Sequence, residues 1–145
     1  MGFINWLERT AVPWFTSLGL SKRAVTLKVL GRKSGQPRKV TIATIKVDGQ
    51  HYFVSVHGRE SDWVRNVRAA GGQAAILSGG RRPVRLVEVP VEERAPILQA
   101  YASIGVFGRS AADIARQFGV EPDPTIEQMS AIANQHPVFR IEEPV

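Results

Sequence analysis

The chain contains no cysteine among its 145 residues. This absence excludes disulfides, thiolate metal sites and cysteine nucleophiles. No apolar run approaches the ~18 residues of a membrane-spanning helix, so no stable membrane span is expected. The opening segment MGFINWLERT lacks the basic region and the long apolar region of a signal peptide. We therefore expect a cytoplasmic protein, with a single domain over residues 1–145.

Acidic residues are missing from one long segment. Residues 9–47 contain nine lysines and arginines and no aspartate or glutamate, although the whole chain has a net charge of only +6. Such an uneven distribution indicates an anionic partner near the first third of the chain. A solvated basic face is the alternative, and the charge pattern alone leaves both open.

The usual catalytic residue sets are also lacking. His51, His57 and His136 do not have the spacing of metal-binding histidines, so a metal site is not expected. No serine lies in a G-x-S-x-G sequence, and GRKSG lacks the glycine spacing of a Walker sequence. If the protein is an enzyme, a bound cofactor must therefore supply the reactive atom.

The periodicity of the chain predicts hairpins first and helices mostly later. A half-buried strand from residue 24 leads into a GRKSGQP turn, and residues 40–56 form a hairpin around Asp48-Gly49. A second hairpin is predicted over residues 74–89. Helices are predicted over 61–72 with Ser61 as N-cap, over 91–102, over 109–119 and over 124–135, before a last strand at 138–141. This order indicates an α+β fold around an antiparallel sheet or small barrel.

An apolar stripe precedes these elements. Phe3, Ile4, Leu7, Trp14 and Phe15 follow roughly helical spacing, with Pro13 interrupting. We expect a short helix that packs against the core or over a pocket. Peripheral contact with a membrane surface through this helix is the alternative.

The segment GRKSGQPRK, residues 31–39, has the composition of an anion-binding turn. Its glycines allow backbone N–H groups to converge on an anion. Arg32 can bind phosphate or carboxylate oxygens bidentately, Lys33 adds a mobile charge and Ser34 adds a hydroxyl. Because Arg38 and Lys39 begin the next strand on opposite faces, at most one of them is expected on the side of the turn.

The order L-G-R-K-S-G-Q-P-R, a hairpin and D-W-V-R-N-V-R-A-A-G-G resembles the deazaflavin-dependent nitroreductase family of actinobacterial flavin/deazaflavin oxidoreductases. The resemblance covers residues 25 to 101. It implies a split β-barrel, like that of FMN-binding proteins, with antiparallel strands and flanking helices. It also implies coenzyme F420 (8-hydroxy-5-deazaflavin), whose tail carries phosphate and several glutamates.

The resemblance further implies roles for individual residues. The phosphate and acidic tail would be held by the basic turn, the deazaflavin ring would lie beside the following strand, and the phosphate side and wall would come from the next loop and helix. The implied set is Arg32, Lys33, Ser34, Gly35 and Arg38 in and after the turn, Val40, Thr41, Ile42 and Ala43 in the strand, Val56, His57 and Gly58 in the loop, and Trp63 and Asn66 in the helix. His57 replaces a lysine often found in the family.

Three functions compete at this point. The first is an F420-dependent reductase that transfers hydride from the reduced deazaflavin to a small electrophilic acceptor such as an enone, a quinone or a nitro compound. The second is a non-catalytic protein that binds a lipid or cofactor on the same scaffold. The third, nucleic-acid binding, is disfavoured because no RNP, helix-turn-helix or zinc signature accompanies the basic charge. We expect a small-molecule substrate, no nucleic acid, and a monomer or homodimer.

Overall fold

Two long strands joined by the GRKSGQP turn begin the barrel. The computed structural model describes residues 20–78, 80–106 and 108–143. Strand β1 (Leu20–Leu30) pairs antiparallel with β2 (Pro37–Val47), which pairs with β3 (Gln50–Val54). Asp48 and Gly49, between β2 and β3, both have positive φ (53° and 84°), as the predicted type I′ turn requires.

The remaining elements close the barrel and add helices outside it. They are α1 (Asp62–Ala69), β4 (Gln73–Ile76), β5 (Arg82–Glu88), a 3-10 turn (Val91–Glu93), α2 (Ala95–Ala102), α3 (Ala111–Gln117), α4 (Ile126–Ile132), a second 3-10 turn (Ala133–Gln135) and β6 (Val138–Glu142). Within the described residues the strands form a closed barrel in the order β1-β2-β3-β6-β5-β4, with every pairing antiparallel. The predicted α+β antiparallel barrel with flanking helices is confirmed.

One face of the strands forms an inner core inside the barrel. Alternate residues such as Val25, Leu27 and Val29 of β1 are buried there, as their two-residue period predicts. Helix α1 joins the same core through Val64 and Val67, which are both fully buried. The helix therefore packs its apolar face onto the barrel interior, and this contact fixes the position of its first turn.

The other face of β2, β3 and β6 carries an outer core against the later helices. Ile45 of β2 and Val138 of β6 pack there with residues of α2, α3 and α4. Helices α3 and α4 begin with capping boxes, in which Ser110 pairs with Asp113 and Thr125 pairs with Gln128. The box at Thr125 agrees with the T-x-x-Q spacing of the sequence.

The N-cap of α1 lies at the predicted residue, but its side chain makes a different contact from the one expected of a cap. Ser61 occupies the N-cap position of α1, but its side chain makes no capping hydrogen bond; its Oγ lies 3.2 Å from Ser55 Oγ instead. The preceding loop folds back at Gly58, and this brings the two hydroxyls together. The N-terminal apolar stripe, residues 3–15, lies outside the described residues.

A buried arginine connects the barrel to the helical side. Arg94, which is only 5% exposed, donates from Nε to the Val89 carbonyl (2.8 Å) and from Nη1 to the Ala133 carbonyl (3.0 Å). Its Nη2 donates to Glu88 Oε2 (2.9 Å), and the same carboxylate accepts two hydrogen bonds from Arg68 of α1. Because each of the three guanidinium nitrogens donates to an acceptor, the cost of burying the charge is offset.

We expect Arg94→Ala to lower the free energy of unfolding by roughly 2–4 kcal/mol. Removing one partner of a buried ion pair costs ~3–5 kcal/mol, and the lower range applies because Glu88 is partly exposed and keeps Arg68. Urea denaturation measures the effect. Arg65→Ala, which removes an exposed pair with Glu60, is the matched control and should leave stability within error. Equal stability of the two variants would contradict this account of the network.

A second buried contact holds the loop between β3 and α1. His136 is 7% exposed, and its Nδ1 lies 2.9 Å from the Ser55 carbonyl oxygen, so the neutral ring donates there. Ser55 Oγ in turn donates to the Gly58 carbonyl at 2.6 Å. Burial lowers the pKa of His136 below its ordinary value of 6.5. Folding therefore favours the uncharged form of this ring.

Stability should fall as pH drops through ~6.5. The unfolded histidine takes up a proton near that pH, whereas the folded one resists it, so protons favour the unfolded state. Urea denaturation at pH 5 to 7 measures the slope, which His136→Gln should reduce. The pKa of His51 is also lowered, so the variant His51→Gln measures the contribution of His51 to the pH slope of stability. Burial lowers the pKa of Lys22 to about 7, so this group affects stability mainly above pH 7, outside the range of pH 5 to 7 used here. A slope unchanged in His136→Gln would exclude the ring as its source.

Candidate functional site

A cleft of about 550 Å³ opens between the GRKSGQP turn and the first turn of α1. The turn leaves the barrel at the end of β1, and α1 faces it because its apolar side is packed onto the inner core. The cleft thus lies where a basic loop meets a helix. Its lining residues are Val29, Gly31, Arg32, Lys33, Ser34, Arg38, Lys39, Val40, Asp62, Trp63 and Asn66.

The turn is closed by its own hydrogen bonds. Gly31 N donates to the Gln36 carbonyl (2.8 Å), and Gly35 N donates to the Gly31 carbonyl (2.9 Å). The Ser34 hydroxyl accepts from Gln36 N (3.1 Å) and from Arg38 Nη2 (3.2 Å). Gly35 takes the positive φ of 71° that the turn needs and does not itself line the cleft.

Gly31 belongs to the site for a steric reason. A methyl group there would lie 2.9 Å from Ser34 Oγ and 3.2 Å from Arg38 Nε. Any larger residue would therefore push two site side chains out of position. The predicted set omitted Gly31, although it stands in the same motif.

Helix α1 fixes Arg32 in the cleft. The side-chain oxygen of Asn66 accepts from Arg32 N (3.0 Å) and from Arg32 Nη1 (2.8 Å). Asn66 is only 6% exposed, so this double contact is well shielded from water. Arg32 Nη2 also lies 3.3 Å from Asp62 Oδ1. Two of the five guanidinium N–H donors are thus used within the protein, and three remain for a ligand.

Four cations surround the cleft. Lys33, Arg38 and Lys39 are exposed, and Arg32 is half-buried. Among the described residues, no carboxylate lies within ion-pair distance of Lys33, Arg38 or Lys39. Arg38 faces the turn, where its Nη2 donates to Ser34 Oγ, and Lys39 also lines the cleft. The expectation that the two side chains start β2 on opposite faces stays a prediction. They stand at the very start of β2, where the cleft reaches around the end of the strand.

Trp63 forms the apolar wall opposite the turn. Its ring centroid lies 6.2 Å from that of Phe53 and 5.7 Å from that of Phe139, so the indole packs onto the inner core. The side chain is only partly buried, and its remaining surface lines the cleft together with Val40. Trp63 is therefore both a core residue and a wall residue.

The other predicted residues lie outside the cleft. In β2, Thr41 is exposed, Ile42 packs against the inner core and Ala43 is buried in the outer core. The loop residues Val56, His57 and Gly58 connect β3 to α1 and do not line the cleft, although His57 is exposed. Their assignment stays a prediction.

Sequence reasoning missed several lining residues besides Gly31. Val29 lies two residues before the basic segment, Lys39 is its last residue, and Asp62 directly precedes Trp63. Their positions in the sequence do not show that they line the cleft. No group of three or more potential metal ligands occurs among the described residues. In the part of the chain that the structure covers, no helix is long and apolar enough to cross a membrane.

The lining of the cleft combines cationic groups with an apolar surface. Its donors are the charged groups of Arg32, Lys33, Arg38 and Lys39, and its apolar surface comes from Trp63 and the nearby valines. Arginine and lysine at such a turn bind phosphate and carboxylate oxygens, and an indole offers a flat face to a ring. The tail of coenzyme F420 has this charge.

Comparison with solved structures gives distant matches. A protein of unknown function from Agrobacterium tumefaciens is 16% identical, with 95% of this chain and 55% of that chain covered and a TM-score of 0.52, which shows a shared fold. A conserved hypothetical protein from Mycobacterium tuberculosis is 18% identical, with 85% and 74% covered and a TM-score of 0.46. A protein called F420 reductase is 15% identical, with 84% and 86% covered and a TM-score of 0.45. No curated protein gives a significant match.

The family comparison is decisive. The model of the F420H2-dependent quinone reductase family matches residues 8–103, which is more than half of the chain and includes the basic turn and α1. The resemblance to F420-dependent reductases drawn from the motifs is confirmed. The chain belongs to the F420H2-dependent quinone reductase family, and it is an oxidoreductase that uses coenzyme F420.

Proposed function

We propose that the protein transfers hydride from reduced F420 to a small electrophilic acceptor, with the cofactor's phosphate and acidic tail held in the cleft between the basic turn and α1. The observation that carries the proposal is the group of four cations on one cleft, facing an aromatic wall. This arrangement pairs a polyanionic tail with charge and an aromatic ring system with an apolar surface.

The residues of the cleft would divide the work of binding. Lys33 and Arg38 would neutralise phosphate and glutamate charges, while Arg32, held by Asn66, would present its remaining donors in a fixed direction. The strand residues Val40 to Ala43 would run beside the ring, and Trp63 would close the wall. Val56, His57 and Gly58 would approach the phosphate side from the loop before α1.

When bound, reduced F420 supplies a hydride from its deazaflavin C5, and a proton completes the reduction of the acceptor. The protein's share is then to bind, to orient and to exclude water, which a pre-formed cleft on a rigid barrel can do. No nucleophilic side chain is required for this chemistry. Suitable acceptors by this chemistry are quinones, enones and nitro compounds.

An acceptor panel tests the reaction. Protein, reduced F420 and one quinone, one enone or one nitro compound are mixed, and the return of the oxidised cofactor's absorbance is followed. We expect turnover with at least one class, at a rate that saturates with cofactor. Tight binding of F420 with no oxidation by any acceptor would instead favour the non-catalytic binding protein.

The basic turn should be specific for the cofactor. A charge-assisted hydrogen bond contributes roughly 1.5–3 kcal/mol, so Lys33→Ala should weaken F420 binding about ten- to hundredfold. The maximum rate at saturating cofactor should change little, because the tail is remote from the hydride. Fluorescence titration measures the affinity, and Lys46→Ala, which removes an exposed cation outside the cleft, is the matched control.

A parallel titration of the Lys33 variant with a DNA duplex addresses the alternative partner. If DNA affinity collapsed while F420 affinity stayed unchanged, the basic segment would belong to a nucleic acid. We expect the reverse, since the cleft is lined by one aromatic side chain, Trp63, and not by the aromatic ladder on which successive bases stack.

A further inference from the structure

Asp62 contrasts in charge with every other ionisable residue of the cleft. It is the single carboxylate that lines the cleft among the described residues, and it stands with Arg32, Lys33, Arg38 and Lys39. A site built for an anion gains no attraction from a carboxylate at its mouth. A carboxylate in the first turn of α1 is favourable for the helix dipole, but it opposes an anion in the cleft.

The guanidinium of Arg32 is held by two contacts of very different strength. Asn66 is buried and accepts two hydrogen bonds from Arg32, so this contact is shielded from water. Asp62 is different, because its side chain is 86% exposed and its oxygen lies 3.3 Å from Arg32 Nη2. Exposed ion pairs contribute little to stability and break easily.

The two contacts use different atoms of the guanidinium. Asn66 takes Nη1 and Asp62 takes Nη2. Both Arg32 and Asp62 line the cleft, so release of Asp62 would free a charged donor at the cleft while Asn66 keeps its hold on Nη1. A phosphate or carboxylate oxygen is the natural replacement for the Asp62 oxygen, since it has the same charge and the same acceptor chemistry.

We propose that Asp62 is an internal competitor of the anionic ligand: it occupies Arg32 in the free protein, is displaced when the phosphate or glutamate oxygens of the cofactor bind, and so lowers affinity and speeds release. This inference rests on the proposed use of the cleft for the cofactor's tail. It assigns Asp62 as an affinity-determining residue rather than a catalytic one.

The size of the effect follows from electrostatics at an exposed site. After displacement, Asp62 remains a few ångströms from the bound anion and repels it, in a medium close to water in dielectric constant. Such a repulsion corresponds to about a three- to tenfold change in affinity at low salt. Salt screens exposed charges, so the change should shrink at high ionic strength.

Asp62→Asn tests this directly, because the amide keeps the shape and removes the charge. F420 is titrated by fluorescence at low and at high salt, and its dissociation rate is measured by stopped flow. We expect the Kd to fall about three- to tenfold at low salt, the dissociation to slow, and the difference to narrow at high salt. Asp62→Glu, which keeps the charge, should bind F420 much as the native protein does.

The matched control is Glu60→Gln. This change adds the same net charge two residues away, where Glu60 pairs with Arg65 and does not line the cleft. It should leave F420 affinity nearly unchanged. Equal tightening by both variants would mean a general charge effect and would overturn the proposal. Weaker or unchanged F420 binding in Asp62→Asn would overturn the proposal as well, because Asp62 would then position Arg32 or take no part in binding. Thermal unfolding verifies that each variant is folded.

Inorganic pyrophosphate separates this inference from the proposed function. Its binding is measured by calorimetry on the native protein and on Asp62→Asn. If neither protein binds F420 but Asp62→Asn binds pyrophosphate more tightly, the cofactor role of the cleft fails and the competitor role of Asp62 stands. If neither F420 nor pyrophosphate binds to either protein, both proposals are overturned.

Discussion

The site depends on the packing of α1 onto the end of the barrel. Val64 and Val67 are completely buried in the inner core, and this contact sets both the rotation and the depth of the helix. The polar side of the helix then has to face the turn after β1. Asn66 meets Arg32 in consequence, and Trp63 covers the core and lines the cleft at the same time. A helix displaced by one residue would place neither group there.

The structure treats its charges in two ways. Each guanidinium nitrogen of the buried Arg94 has a hydrogen-bond partner, since an unpaired charge in the core would be very costly. Three cations of the turn, Lys33, Arg38 and Lys39, are exposed to solvent. Among the described residues, none of them has a carboxylate within ion-pair distance. These exposed cations are not engaged by a carboxylate of the described residues, so their charge remains available to a ligand. This division separates the residues that hold the barrel to the helices from those that can bind a polyanion.

Much of the fold could be predicted from local patterns. The two-residue period around Leu27, the Asp48-Gly49 turn and the capping box at Thr125 each report on a few neighbouring residues, and each is present. Contacts outside these local patterns could not be predicted in the same way. Ser61 follows the pattern of a capping residue, yet its hydroxyl meets Ser55 because a loop folds back. Lys39 reaches the cleft because the cleft extends around the end of β2.

The sequence by itself determined the elements, the basic turn and the family, because hydrophobic period, turn residues and motif order are properties of short stretches of chain. The sequence motifs also assigned Arg32 and Asn66 to the same cofactor-binding site. Only the tertiary structure decided that Asn66 holds Arg32, that Gly31 leaves room for Ser34, and that a carboxylate from α1 enters a basic cleft. The contacts of Arg32 with Asn66 and Asp62 join residues 34 and 30 positions apart. Their geometry follows from barrel closure and helix packing, which no local pattern encodes.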